Sequence, residues 1–403
     1  MNYNFECKLK VITPLFMGGA NQQPELRTQS INGLLRWWFR VAGGSFEDEK
    51  RIFGWAGETS NQGLVRIHLN VPDDLRPSDF SSTGLSGYKY LGFSLRRTRR
   101  KAIPENTEFE VRILFHPKST EGDIKKFFCA LWLAFNLGNF GSRARRGFGS
   151  IKIESIIENG KNKANSCFDL NNCFDLSFVP SGNLGDWVKQ NLEKIKEILN
   201  SQGREDIPYI FGDFEIYKVE KVNYGKYKDW LGEVQNNREG KYLKNSWSGN
   251  SLNSWENFLD FMGFLLMAYR SYREPDYNNA KSILQGERVN DTTFERAIFG
   301  LPLNFFYSSL ENPKTRKRGY GGRVDLKQGD ETLRRASPLV IKIIQNQNDY
   351  EGLFVVMKST FRPQNSELTF SNIKVNLPSI EWQALDDFIS TLKSHNLIRR
   401  IYP

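Results

Sequence analysis

Phe5, Cys7, Leu9 and Val11 alternate with Glu6, Lys8 and Lys10, a two-residue period that predicts a strand over Phe5–Ile12. Thr13-Pro14 ends it, and Gly18-Gly19 turns the chain. From Ser30, a residue able to cap a helix, Ile31, Leu34, Leu35, Trp38 and Val41 recur at three- and four-residue spacing. A helix over Ser30–Val41 follows, with Arg36 and Arg40 together on one face. Gly63–Leu69 and Glu108–Phe115 read as further strands, the apolar run Phe127–Phe135 as a helix, and Ile151–Ile153 as a strand. The order is β, α, β, β, α, β.

That order is the one of a ferredoxin-like (RRM-like) domain, here with insertions. Asn159–Gly185 is rich in Asn, Ser and Gly and reads as a linker, dividing the chain into 1–158, 159–185 and 186–403. Beyond it, Leu184–Asn200, Trp255–Tyr272 and Ser379–Ser394 read as helices. Tyr209–Val219, Leu303–Tyr307, Ala336–Ile344 and Gly352–Lys358 read as strands. The second half is therefore α+β as well. The tripeptide Ile52-Phe53-Gly54 returns as Ile298-Phe299-Gly300, each ahead of a strand, a faint sign that the halves are related.

A content of 39% hydrophobic and 13% aromatic residues in 403 fills real cores and excludes a disordered chain. Lys and Arg exceed Asp and Glu by 56 − 46 = 10, and the excess is clustered. Clustered positive charge points to a polyanionic partner. Cys7, Cys129, Cys167 and Cys173 show neither CxxC spacing nor a nearby histidine, so free thiols are expected, with Cys129 in the core. Met1–Lys10 lacks the apolar run of a signal peptide. Phe127–Phe135 is too short to span a bilayer, which takes about 20 residues. The expectation is a soluble cytoplasmic protein with no membrane partner.

Four basic regions stand out. Arg27 precedes the Ser30 helix, whose N-terminus is a natural anion site. Arg96–Lys101 holds five cations in six residues and reads as an exposed loop. Leu137–Gly149 interleaves Gly141, Gly147 and other glycines with Arg143, Arg145 and Arg146. Glycine backbone there can approach a ligand closely, and guanidinium forks fit phosphate oxygens. The fourth region comprises Arg316, Lys317, Arg318 and Arg323, with Arg334 and Arg335 downstream. Basic glycine-rich segments interleaved with Phe148 and Tyr320 suit single-stranded nucleic acid better than duplex. The plainer alternatives are an exposed helix face for the first region, an aid to solubility for the second and a solvated basic turn for the third.

Catalysis finds little support. His68, His116 and His395 share no local motif, Asp73-Asp74 reads as a surface turn, and no HExxH, Walker or GxSxG pattern is present. No catalytic residue, metal set or cofactor is expected.

The loop Gly138–Gly149 resembles the glycine-rich motif of the RAMP superfamily of CRISPR-associated RNA-binding proteins. More narrowly, Thr13–Gly19, Glu25–Arg27 and Ser30–Arg40 resemble the N-terminal hallmark of the first-subunit family of type III-B (Cmr) effector complexes. Gly321–Asp325 and Arg334–Pro338 match that family's second-domain motifs in character. The resemblance implies tandem ferredoxin-like domains and no nuclease activity. It also implies a place near the guide RNA 3′ end, capture of complementary target RNA, and contact with other Cmr subunits. Carried onto this chain, Arg27, Ser30, Arg36 and Arg40 would line the RNA face with Gly141, Arg143, Arg145, Arg146 and Gly147. Arg323, Arg334 and Arg335 would supply the second domain's share. A guide-processing endoribonuclease and a purely structural subunit are the other readings. Trp37, Trp38 and Phe39 are candidates for base stacking or for core, with core favoured for Trp38.

Overall fold

The computed structural model describes residues 3–403 apart from 22, 58–59, 73–74, 81–84, 161–162, 168–175, 201, 205–206, 236–246 and 248, and backbone alone at 96–97, 159–160 and 163–167. Asp73-Asp74, Cys173, the side chain of Cys167, the middle of the Asn/Ser/Gly-rich stretch and most of 236–249 lie outside the described residues.

The first half runs β1 (Asn4–Val11), α1 (Thr28–Val41), α2 (Phe46–Phe53), β2 (Val65–Asn70), β3 (Ser78–Asp79), α3 (Ser86–Leu91), α4 (Phe93–Arg97), β4 (Lys101–Ala102), β5 (Glu108–Phe115), α5 (Glu121–Asn136), β6 (Ile151–Gly160) and β7 (Lys163–Cys167). Its sheet has the antiparallel order β2-β5-β1-β6-β7. Without β7 this is the ferredoxin-like arrangement expected from the element order, and β3, α3, α4 and β4 form an insertion between β2 and β5. Phe5, Cys7, Leu9 and Val11 face the core as their alternation requires. α5 starts in a capping box between Thr120 and Asp123. Its middle is apolar on every side because it is covered on every side. Cys7 and Cys129 are buried.

The second half runs α6 (Leu184–Leu199), β8 (Phe214–Val219), α7 (Tyr224–Gln235), α8 (Trp255–Arg270), α9 (Asp276–Gln285), β9 (Leu303–Glu311), β10 (Arg318–Gln328), β11 (Glu331–Leu333), β12 (Leu339–Asn346), β13 (Asp349–Met357), β14 (Glu367–Phe370), β15 (Ile373–Val375), α10 (Gln383–Ser394) and β16 (Ile398–Tyr402). The order β12-β13-β8-β16, again antiparallel, repeats the first sheet's pattern. A separate sheet, β11-β10-β14-β15 with β9 against β10, is built from the segments between α9 and β12 and between β13 and α10.

Two corrections to the sequence reading concern this half. Arg318–Gln328 is a strand, whereas its glycines and cations predict a loop. The last strand of the module, β16, goes unpredicted because five residues with two arginines carry too short an alternation. The repeated Ile-Phe-Gly has a structural counterpart. Gly54 (φ 87°) ends α2 against Gly63, just ahead of β2. Gly300 (φ 117°) ends a 3₁₀ turn against Arg335 and Ser337, just ahead of β12.

Both faces of the second sheet are buried. Val340, Ile344, Leu353 and Val355 join the core that contains α1, α5, α6 and the first sheet. Ile341, Ile343, Phe354 and Val356 join the core of α8 and α10. Lys342 interrupts the first set. It is 2% exposed, and its Nζ donates to the carbonyl oxygens of Phe135 (2.7 Å) and Gly138 (2.8 Å) at the end of α5. Burial disfavours the ammonium and lowers its pKa to about 7, while the neutral amine keeps two N–H groups for the two carbonyls.

From about pH 7 toward the ordinary lysine range near 10.5, the unfolded chain holds a proton that the folded chain has released. Unfolding free energy should therefore rise with pH across this window on account of Lys342. Urea unfolding at pH 7 and pH 9 should show the wild-type protein gaining stability relative to Lys342→Met. Equal pH dependence in the two proteins would contradict it.

Candidate nucleic-acid interface

The glycine-arginine loop between α5 and β6 is held by its own chain. Phe140 N donates to Gly149 O (2.9 Å), Ser142 N to Phe16 O (2.8 Å), and Gly149 N to Pro14 O (3.0 Å). Gly141 (φ 79°) and Gly149 (φ 77°) occupy left-handed backbone that favours glycine. A Cβ at Gly141 would lie 2.6 Å from Phe16 O, so the close approach expected toward a ligand is made to the strand-1 exit instead. The loop also reaches the second half. Ile341 N donates to Arg145 O (3.3 Å) and Asn139 Nδ2 to Ile341 O (2.8 Å), while Thr13 Oγ1 of the first half donates to Gly147 O (2.8 Å). The edge of β12 is thereby covered.

The loop's arginines project from this platform, and none is paired with a carboxylate among the described residues. Arg143 donates through Nε (2.9 Å) and Nη2 (2.6 Å) to Ser94 Oγ on α4. Arg145 donates to Ser337 O and lies over the Trp37 ring, 5.3 Å from its centroid. Arg146 has a buried Nη1 with no hydrogen-bond partner among the described residues. Arg270, at the end of α8, adds a third cation beside Arg143 and Arg146, and its Nη1 donates to Tyr90 Oη (2.8 Å). Burial lowers the pKa of all three loop arginines, that of Arg145 and Arg146 to about 10. Repulsion from Arg335 adds to the effect at Arg145, and repulsion from Arg270 and Arg143 at Arg146. All stay charged at neutral pH. A half-buried positive cluster lacking a counter-ion is stabilised by any anion that enters it.

A cleft of about 430 Å³ opens between this loop and the start of α1, with Gly18, Ser30, Trp37, Arg100, Gly141 and Ser142 in its walls. Arg100 Nη1 donates to Ser142 Oγ (2.9 Å), and Arg27 Nη1 to Gly18 O (3.4 Å). α1 begins at Thr28 with Arg27 in the cap position and no side-chain cap, so Ser30 lies inside the first turn and does not cap it. The uncapped N–H groups and the helix dipole favour an anion here. Three of the expected basic regions thus contribute to the cleft: Ser30, Arg100, and Gly141, Ser142 and Ala144 of the loop, with Arg27 bonded to Gly18 in its wall.

Other expected residues lie elsewhere. Arg36 Nε is 2.9 Å and Arg40 Nε 3.8 Å from the carboxylate of Glu49, which is 3% exposed, so these two neutralise a buried acid between α1 and α2. Arg316 pairs with Glu311 (3.5 Å) and Arg323 with Asp325 (2.8 Å). Arg335 donates to Ser359 Oγ and Thr360 O. Lys317, Arg318 and Arg334 are exposed. Trp38 and Phe39 are core, while Trp37 is half-buried at the cleft. Arg270, Tyr90, Ser94 and Asn139 are missed by sequence reading, since each acts across a distance that no local pattern encodes.

The outward positions of the first sheet carry Glu6, Lys8, Lys10, His68, Glu108, Glu110, Arg112, Lys152 and Glu154, mixed in sign and with no phenylalanine, tyrosine or tryptophan among them. No group of His, Cys, Asp and Glu able to hold a metal occurs among the described residues. Nor is any helix among them long and apolar enough to cross a membrane.

Two ferredoxin-like modules, with a glycine-arginine loop ahead of the last strand of the first, define a protein of the RAMP class. The model of the RAMP superfamily matches residues 8–152. The CRISPR system Cmr subunit Cmr1-2 of Pyrococcus furiosus is 36% identical over 180 aligned residues, covering 37% of this chain and 95% of that protein. Cmr1-1 of the same organism is 24% identical over 422 residues, covering 99% and 97%. The crystal structure of apo Cmr1 from Pyrococcus furiosus superposes with a TM-score of 0.55 at 18% identity, over 99% of this chain and 98% of that one. The chain belongs to the RAMP superfamily, as a Cmr1-type subunit of type III (Cmr) CRISPR systems.

The division of the arginines by counter-ion has a measurable consequence. Arg36→Ala leaves the buried Glu49 without its nearest cation and should lower stability by about 1–3 kcal/mol in denaturant titrations. Arg143→Ala removes a charge that has no counter-ion, and stability should change by no more than about 0.5 kcal/mol or rise.

Proposed function

We propose that this chain is a non-catalytic RNA-binding subunit of a type III-B CRISPR ribonucleoprotein, acting in the cytoplasm in antiviral defence. It lies near the 3′ end of the guide RNA and helps to capture complementary target RNA, beside other Cmr-complex subunits. The observation that carries this reading is the cluster Arg143, Arg145 and Arg146. Among the described residues these charges have no carboxylate partner, and Arg145 lies over Trp37, a wall of the cleft that also holds Ser30 in the uncapped first turn of α1. Such a site takes phosphate from any sequence, so recognition rests on the backbone while base pairing with the guide selects the target. The relatives' names as Cmr subunits support the setting. The cleft walls argue against strand cleavage. Ser30, Arg100, Asn139 and Ser142 supply donors but no group that exchanges protons near neutral pH.

The test is binding of labelled single-stranded RNA, matched DNA and duplex RNA across a salt titration, with cleavage scored on the same samples. The expected result is RNA-preferring binding without cleavage. Its salt slope should fall by about 1.4 in Arg143→Gln/Arg146→Gln, two phosphate contacts at about 0.7 each. A slope unchanged by the double substitution would remove this loop as the phosphate site.

A further inference from the structure

Phe306 and Phe93 are the most exposed aromatic side chains among the described residues, at 73% and 65%. Both line one cleft of about 990 Å³, between α4 of the first module's insertion and the inserted sheet of the second half. Neither ring is paired with another ring. By contrast, the exposed Phe46 and Trp55 cover each other at 5.0 Å, with Lys50 over Phe46.

The strand beside Phe306 is shaped to leave its ring uncovered. Phe306 stands on the outward face of β9, directly opposite Gly321 of β10. Gly319, Gly321 and Arg323 follow along the same face of β10. A side chain at Gly319 (φ 101°) would begin 2.7 Å from the Phe306 ring. Gly319 thus leaves room for the ring, while Gly321 lets the backbone of β10 come close to Phe305 O of β9. Arg323, held by Asp325, and Asn304 close one end of the cleft. Lys317 and Arg318 are exposed at the other end.

Phe93 joins this cleft to the arginine cluster. Its neighbour Ser94 accepts both hydrogen bonds of Arg143. A chain whose phosphate sits at Arg143 and Arg146 therefore runs past Phe93 into the cleft. The occupant needs flat faces to meet two bare rings, negative charge to meet the cations at both ends, and unpaired bases to reach the cleft. Single-stranded RNA has all three.

We propose that this cleft is a base-stacking site, with Phe306 and Phe93 as its platforms, that receives unpaired RNA bases next to the phosphates held by the glycine-arginine loop. Phe306 of the inserted sheet and Phe93 of α4 supply phenyl rings, which the named outward positions of the first sheet lack. The proposal rests on the RNA-binding reading above.

The test measures the full chain against a labelled single-stranded RNA and against a ribose-phosphate oligomer of equal length without bases. Phe306→Ala and Phe93→Ala should each weaken RNA binding by about fivefold to a hundredfold and leave its salt slope unchanged. Both variants should bind the base-free oligomer as the wild-type protein does, and Phe306→Trp should retain RNA affinity. Equal losses on RNA and on the base-free oligomer would mean that the rings only position the arginines, and would overturn stacking. Unchanged RNA affinity in both variants would do so too. If the double variant then also failed to join other Cmr subunits, the cleft would belong to a protein partner. Wild-type protein that binds neither oligomer would remove the RNA reading itself, and the stacking site with it.

Discussion

An open edge on β12 is the constraint around which the two halves are organised. Both faces of its sheet are buried, so its outer backbone groups need partners that water cannot supply freely. The glycine-arginine loop provides them through Arg145 O and the Asn139 amide, whose Oδ1 in turn accepts from Ser150 Oγ at 2.6 Å. Lys342 then closes the end of α5, where helix carbonyls would otherwise point into apolar core. The segment that carries the unpaired arginines is therefore the same one that joins the halves. Its geometry is set by buried hydrogen bonds and not by the ligand, so the guanidinium groups are in place before any anion arrives.

Positive charge alone does not distinguish the many cations of this chain; the nearest carboxylate does. Arg36, Arg40, Arg316 and Arg323 each have one within 4 Å and are partly spent on it. Arg143, Arg145 and Arg146 have no carboxylate partner among the described residues; their neighbours are polar, aromatic or themselves cationic. The three share one loop, so their unmet charge is concentrated where two modules meet.

The first module was legible because its signals are local. The alternation in β1, the three-four spacing of α1 and the apolar continuity of α5 each express one element's own burial. The loop's importance was legible from its composition, yet the purpose of its glycines was not. Gly141 and Gly149 read as room for a ligand, and the atoms that need the room are Phe16 O and Phe140 O. Glu49 shows the same limit for Arg36 and Arg40: on a helical wheel they form a basic face, and only the packing of α2 against α1 reveals the acid beneath. β10 went unread because glycine in a strand carries no alternation, although here the missing side chains are what the strand contributes.

Arg143 and Arg146 come from the first module and Arg270 from the end of the second module's main helix, with Tyr90 and Ser94 of the insertion between them. Like charges from two separately built units push against each other across that seam. An anion seated among them turns the push into a pull, acting as a removable rivet. If the site takes RNA as proposed, its occupant would also tie the two halves of the subunit together.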